Sequence, residues 1–140
     1  MVDAAAQVHV FPVRVYYEDT DAGGVVYYAN YLKFAERGRS ELLRQHGIDN
    51  TGLQQRHGIN FAVRDCSVTY HAPARLDESL SVLTDVQSVG AATLSMRQRV
   101  ARENELLVEL SIRLACLNEA GRPARLPSEV RQAFADLIQA

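Results

Sequence analysis

An antiparallel sheet packed on one long helix, an α+β arrangement, is the fold class this sequence predicts. Three observations predict it: five runs of alternating polarity, one long helical stripe after the first run, and short links between the last four. Links this short exclude a doubly wound parallel sheet, whose strands need long crossovers.

The first run, residues 7–17, sets Phe11, Val13, Val15 and Tyr17 against Pro12, Arg14 and Tyr16. Pro12 lacks a ladder donor, so this strand belongs early or at an edge. The acidic and glycine residues Glu18 to Gly24 interrupt it. A helix then spans residues 28–46, with Tyr28, Tyr31, Leu32, Ala35, Gly38, Leu42, Leu43 and His46 on one face. Arg37 and Glu41 fall on the other face as an i,i+4 pair, and Gly47 is a natural stop. Gly38 costs about 1 kcal/mol relative to alanine in mid-helix, which predicts close approach to a sheet surface.

A polar loop follows, then strands over residues 61–70, 80–86, 94–100 and 106–116. Residues 128–139 read as a closing helix with Ser128 as cap after Pro127. At 140 residues, the whole of 1–140 reads as a single domain able to bury a core without staples. One helix leaves much of one sheet face uncovered, which predicts a homo-oligomer.

Composition narrows the function. A net charge of −2 with mixed signs leaves no electrostatic footprint for nucleic acid. Cys66 and Cys116 each sit in an alternating apolar run and read as small packing residues, not as a disulfide framework or metal knuckle. The first residues lack the basic start and apolar core of a signal peptide, and no apolar run has spanning length. The expected location is the cytoplasm, with no membrane insertion.

Three carboxylates crowd the acidic turn: Glu18, Asp19 and Asp21. Such repulsion calls for solvent, a cation or a helix N-terminus. On residue chemistry alone, turn formation is favoured over catalysis. Asp19-x-Asp21-x-x-Gly24 copies part of a calcium loop, but Gly23 and Asn30 occupy two ligand positions, so no metal site is expected. Ser40 lies within the helix and lacks the second glycine of a nucleophile elbow. His9, His46, His57 and His71 are scattered and read as surface or packing residues.

The run Tyr17-Glu18-Asp19-Thr20-Asp21-Ala22-Gly23-Gly24-Val25-Val26-Tyr27-Tyr28-Ala29-Asn30-Tyr31 resembles the signature of the 4-hydroxybenzoyl-CoA thioesterase family. Within that family the likeness is greatest to acyl-CoA thioesterases encoded beside the bacterial Tol–Pal envelope system. It continues through Phe34-x-Glu36-Arg37-x-Arg39, through Val68-x-Tyr70-x-Ala72-Pro73-Ala74-Arg75-Leu76-Asp77, and through Gly121-Arg122-Pro123-x-x-Leu126-Pro127.

The resemblance implies a hotdog fold, a five-stranded antiparallel sheet wrapped around one long helix. It implies homodimers, often paired into homotetramers, with active sites at subunit interfaces. It implies hydrolysis of small or medium acyl-CoA thioesters, with no cofactor beyond the coenzyme A of the substrate. Asp21 takes the catalytic position as general base or nucleophile, and the Tyr28 amide or one nearby is the oxyanion donor. Asp19 is then a structural acceptor fixing the turn. Arg122 and Arg125 become candidates to meet coenzyme A phosphates, and Tyr27 and Tyr28 to line an acyl pocket. Gly90, Thr93 and Arg75 lie where relatives contact ligand, although turns explain Gly90 and Arg75 equally well. One departure is that relatives often carry histidine at the position of Tyr28. The rival readings are a non-catalytic protein binding acyl-CoA or an acyl carrier protein at the envelope, and a hotdog dehydratase.

Overall fold

The computed structural model describes residues 8–138. Strand β1 (His9–Arg14) leads through a 3-10 turn at Tyr17–Asp19 to helix α1 (Asn30–Gln45) and the short helix α2 (Asn50–His57). Strands β2 (Ile59–Tyr70), β3 (Ser79–Val89), β4 (Thr93–Arg102) and β5 (Glu105–Asn118) follow, then helix α3 (Ser128–Ala135). The five strands form one sheet in the order β1-β3-β4-β5-β2, antiparallel throughout. Pro12 therefore lies on an edge strand, as its missing donor requires.

Helix α1 buries Tyr31, Phe34, Ala35, Gly38, Leu42 and Leu43 against the sheet. Phe34 joins the expected stripe, whereas Tyr28, Leu32 and His46 are exposed. Gly38 does mark the close approach: a Cβ there would lie 2.7 Å from Val82 Cγ1 on β3. Beside it Gln98, fully buried, donates to the Ala35 carbonyl at 2.8 Å and to Thr84 Oγ1 at 2.9 Å. Arg39 in turn donates to Gln98 Oε1 at 3.0 Å.

Several details differ from the sequence reading, each for a local reason. The expected polar loop contains α2, whose N-cap Asp49 accepts from the Gly52 N–H at 2.6 Å and whose stop, Gly58, is left-handed. Only Leu53 among its apolar residues is buried, so no amphipathic stripe announces this helix. Glu41 pairs with Arg44, one turn on, and not with Arg37. Ser128 is the first residue of α3 and makes no cap bond; Pro127 holds the cap position. Of the ends expected for the outer elements, Gln7 and Gln139 lie outside the described residues. Cys66 is exposed because β2 is an edge strand with a bulge between Val63 and Asp65; Cys116 is buried.

Along the middle of β4 and β5 the residues alternating with the core are polar: Ser95, Arg97 and Arg99, then Glu109, Ser111 and Arg113. The sheet face away from α1 is therefore not an apolar patch. Exposed apolar side chains gather elsewhere, among them Tyr16, Tyr17, Tyr27, Tyr28, Val63 and Tyr70. These lie on the acidic loop, the start of α1 and the β2 edge.

The antiparallel order gives the sheet two distinct ends. At one end, β2 finishes at Tyr70, opposite Val108 near the start of β5. At the other, β5 finishes at Asn118, opposite Ile59 at the start of β2. Helices α2 and α3 meet near that second end, where His57 Nε2 lies 2.7 Å from Glu129 Oε1 and Phe61 packs on Phe134.

Candidate active site

Asp19 and Asp21 are two residues apart and do different things. Asp19 is buried; its Oδ2 accepts the Tyr16 N–H at 2.8 Å. Its carbonyl accepts the Tyr27 N–H at 3.0 Å and the Asn30 side-chain amide at 2.8 Å. Asp19 therefore ties the turn to the start of α1, the structural task the sequence reading gave it. Asn30 was not foreseen in this role, although a side-chain amide at a helix start is a familiar signal for local backbone bonding.

Asp21 is exposed on the tip that follows. Its Oδ1 accepts the Gly23 N–H at 2.8 Å, and its own N–H donates to Val25 at 2.9 Å. Gly24 closes the turn with φ of 77°, a conformation that disfavours a side chain. Among the described residues Asp21 Oδ2 has no partner. The loop is clipped to the β2–β3 connection by Val26 N–H to Ala74 O at 2.8 Å and Leu76 N–H to Gly24 O at 3.2 Å.

Helix α1 begins with a tight turn. Asn30, Tyr31 and Leu32 donate to the carbonyls three residues before them, Tyr27, Tyr28 and Ala29. The N–H groups of Tyr28 and Ala29 are left with no acceptor among the described residues. They are unpaired donors at the positive end of a sixteen-residue helix.

An aromatic cleft of about 280 Å³ adjoins this turn, lined by Val26, Tyr28, Tyr31, Tyr70, Ala72 and Pro73, among others. Tyr70 stands edge-on to Tyr28 with ring centres 6.1 Å apart, and its hydroxyl donates to the Tyr28 carbonyl at 3.3 Å. Burial raises the Tyr70 and Tyr31 phenols above their ordinary value, so both remain protonated at neutral pH. Tyr31 is buried and its oxygen accepts the Ala74 N–H at 2.9 Å. Arg102 braces the same wall, donating to Pro73 O at 3.1 Å, Glu78 at 2.7 Å and Glu105 at 2.6 Å. The bonds from Tyr70 to Tyr28 and from Arg102 to Pro73 and Glu78 join residues distant in the chain, so the sequence pattern does not reveal them.

Arg122 and Arg125 are exposed on the loop after β5. That loop is held by Asn118 N–H to Arg122 O and by Leu126 N–H to Ala91 O, each at 2.8 Å. Gly90 and Thr93 occupy the same end, joined by Gly90 N–H to Thr93 O at 2.8 Å. From Val108, beside Tyr70, to Asn118 the strand runs roughly 33 Å. Asp21 and Tyr28 thus lie on one continuous segment, the acidic loop and the helix start, while the arginine pair sits at the opposite end of β5.

A sequence model of the thioesterase-like superfamily matches residues 15–134. The chain belongs to this superfamily. An Escherichia coli protein named acyl-CoA thioester hydrolase YbgC is 43% identical over 126 residues, covering 89% of this chain and 93% of the relative. The Haemophilus influenzae acyl-CoA thioesterase YbgC is 42% identical over 125 residues, covering 89% and 92%. The crystal structure of a probable thioesterase from Bartonella henselae superposes with a TM-score of 0.82 at 40% identity, covering 86% of this chain and 99% of that one. The chain is an enzyme of the thioester-hydrolysing class, and the resemblance and hotdog architecture expected from the sequence hold. Among the described residues no helix is long and apolar enough to cross a membrane.

Proposed function

We propose that this chain is an acyl-CoA thioester hydrolase in which Asp21 is the catalytic carboxylate and the Tyr28 N–H polarises the thioester carbonyl. The observation that carries this reading is the unpaired Tyr28 amide at the start of α1, on the same loop that exposes Asp21. The names of its relatives in Escherichia coli and Haemophilus influenzae support the substrate class.

Attack at the carbonyl carbon drives an electron pair onto the carbonyl oxygen. An unpaired amide at the positive end of a helix is preorganised to receive that charge. Asp21 either removes a proton from the attacking water or attacks directly, forming an anhydride that water then opens. Both routes need a carboxylate with a free oxygen, and Asp21 Oδ2 meets that need. Collapse of the intermediate breaks the carbon–sulfur bond and releases coenzyme A thiolate, which leaves without a strong general acid. Coenzyme A is part of the substrate, and this chemistry calls for no other cofactor. The aromatic cleft beside Tyr28 suits a small or medium acyl group.

The phosphate-binding role of Arg122 and Arg125 belongs to the same proposal, and it requires a second protomer. β2 is a long unpaired edge, and exposed Val63 and Tyr70 lie along it. Two-fold pairing of β2 with its copy sets the Ile59 end of one protomer beside the Tyr70 end of the other. The partner's arginine loop then approaches the Asp21 site, where guanidinium groups suit coenzyme A phosphates. A homodimer is the working unit of this proposal and a homotetramer its pairing. Acyl carrier protein is a further candidate donor of acyl groups. The free, exposed Cys66 suits a reducing cytoplasm.

The test is thiol release from a panel of acyl-CoA esters. Asp21→Asn should lose about 100-fold or more in turnover with its unfolding midpoint retained. Equal turnover in the two proteins would overturn the assignment of Asp21. Binding of esters with no turnover on any of them would favour an acyl-CoA binding protein instead.

A further inference from the structure

The helix start presents two unpaired amides, and they are not held equally. Every trans peptide points its N–H and C=O in opposite directions, so fixing the carbonyl aims the amide. The peptide whose N–H belongs to Tyr28 has its carbonyl, Tyr27 O, fixed by the Asn30 N–H at 2.8 Å. The helix itself aims that donor. The next peptide, whose N–H belongs to Ala29, has Tyr28 O as its carbonyl. There the helix offers only the long bond from Tyr31 N–H at 3.4 Å. The Tyr70 hydroxyl adds a second bond to the same carbonyl, also long, donating to Tyr28 O at 3.3 Å.

We infer that the Ala29 N–H is a second oxyanion donor and that Tyr70 is the residue that positions it. This rests on the thioesterase reading above. The Tyr70 ring is fitted for the task, with Tyr28 edge-on at 6.1 Å and Tyr31 at 5.8 Å. Tyr31 is itself anchored by its bond from Ala74 N–H, so the brace runs from the β2–β3 connection to the helix start. Donation into the Tyr28 carbonyl also polarises that peptide, which makes its N–H a better donor to a developing oxyanion. Tyr70 touches no reacting atom in this arrangement; its effect passes through the Tyr28–Ala29 peptide.

Tyr70→Phe removes the hydroxyl and keeps the ring. Its kcat should fall about tenfold with KM within about twofold, since the donor is misaimed and not lost; outright loss of an oxyanion donor costs roughly 100-fold or more. A second readout separates positioning from general support. With a bound ketone analogue, in which a methylene joins the acyl carbonyl to the coenzyme A sulfur, the carbonyl stretch should move to higher frequency in Tyr70→Phe. Unchanged kcat in Tyr70→Phe, or a fall in kcat with an unmoved stretch, overturns the inference. Asp21→Asn, assayed in parallel, isolates the underlying reading. An inactive Asp21→Asn beside a fully active Tyr70→Phe sinks only the role of Tyr70. A fully active Asp21→Asn sinks the role of Asp21, and the carbonyl stretch still decides Tyr70. A wild type without turnover on any ester sinks both.

Discussion

Asp19 Oδ2 accepts the Tyr16 N–H at 2.8 Å from a buried position, whereas exposed Asp21 keeps one carboxylate oxygen unengaged among the described residues. Stability and activity should therefore separate between the two aspartates. Asp19→Ala strands a backbone donor and is expected to cost about 1.5–3 kcal/mol, the range for hydrogen bonds to a charged acceptor. Asp21→Asn should stay within about 0.5 kcal/mol of wild type, as surface changes do, while losing turnover. Denaturant midpoints measured beside thiol release check this, and a destabilised Asp21→Asn would collapse the distinction.

Gly38→Ala gains about 1 kcal/mol of helix propensity, and in an exposed helix it would stabilise. Here the new methyl meets Val82 Cγ1 at 2.7 Å, between a helix and a sheet that are both packed. Overpacking of this kind costs about 1–3 kcal/mol. The net expectation is a lower melting temperature, and a rise would show that the helix can lift off β3 without penalty.

These residues also show what the sequence made legible. Gly38 announced its contact, because a glycine in mid-helix needs a packing reason. The strands themselves were readable from alternation, since one-sided burial leaves a period of two. Their order in the sheet was not: β2 and β3 are joined by a short link and yet are not neighbours, because β2 pairs with β5 and β3 with β1. Helix α2 was not readable: with Leu53 as its buried apolar residue, stability comes from the Asp49 cap and Gly58, which periodicity does not register. Cys66 was misread because alternation cannot foresee a bulge at Val63–Asp65 or an edge position. Asp21 could be separated from Asp19 only through family resemblance. Burial and hydrogen bonding, which distinguish them physically, depend on Tyr16, Tyr27 and Asn30 folding back onto Asp19.

Gln98→Leu should be costly out of proportion to its size. The amide is fully buried and satisfies Thr84 Oγ1, Ala35 O and Arg39 together. Burial already draws the Arg39 guanidinium below its ordinary pKa, and the variant removes its acceptor. A loss of about 2–3 kcal/mol is expected, from a buried polar hydroxyl and a desolvated cation left unpaired. Adding Arg39→Met should recover part of it. A double-mutant cycle with purely additive losses would mean that the two side chains are not coupled.

Glu78 gives the Tyr70 end of the sheet an acid limit. Burial alone would raise its carboxyl, but the Arg75 N–H and the Arg102 guanidinium outweigh burial and hold it below its ordinary 4.5. A depressed folded value means the unfolded chain binds more protons as pH falls. The stabilisation from Glu78 is therefore complete above its unfolded pKa and is lost as pH drops through the lower folded one. The stability gap between wild type and Glu78→Gln should be widest near neutrality and close in acid. A gap that stays constant from neutral pH to well below 4.5 would contradict the depressed value.

The separation of Asp21 from Arg122 and Arg125 along β5 makes the dimer proposal testable by complementation. Neither Asp21→Asn homodimers nor Arg122→Ala/Arg125→Ala homodimers contain a complete site. If the arginines act across the β2 edge, a mixed dimer carries one site with both lesions and one with none. A statistical mixture is half mixed dimers, so it should show about a quarter of wild-type kcat/KM, well above the average of its two parents. Arginines acting within their own protomer would give a mixture equal to that average. Co-expression with two affinity tags, followed by isolation of the doubly tagged species, raises the expected value to about half of wild type. The doubly tagged species also answers whether a stable dimer forms at all, because a monomer would yield none.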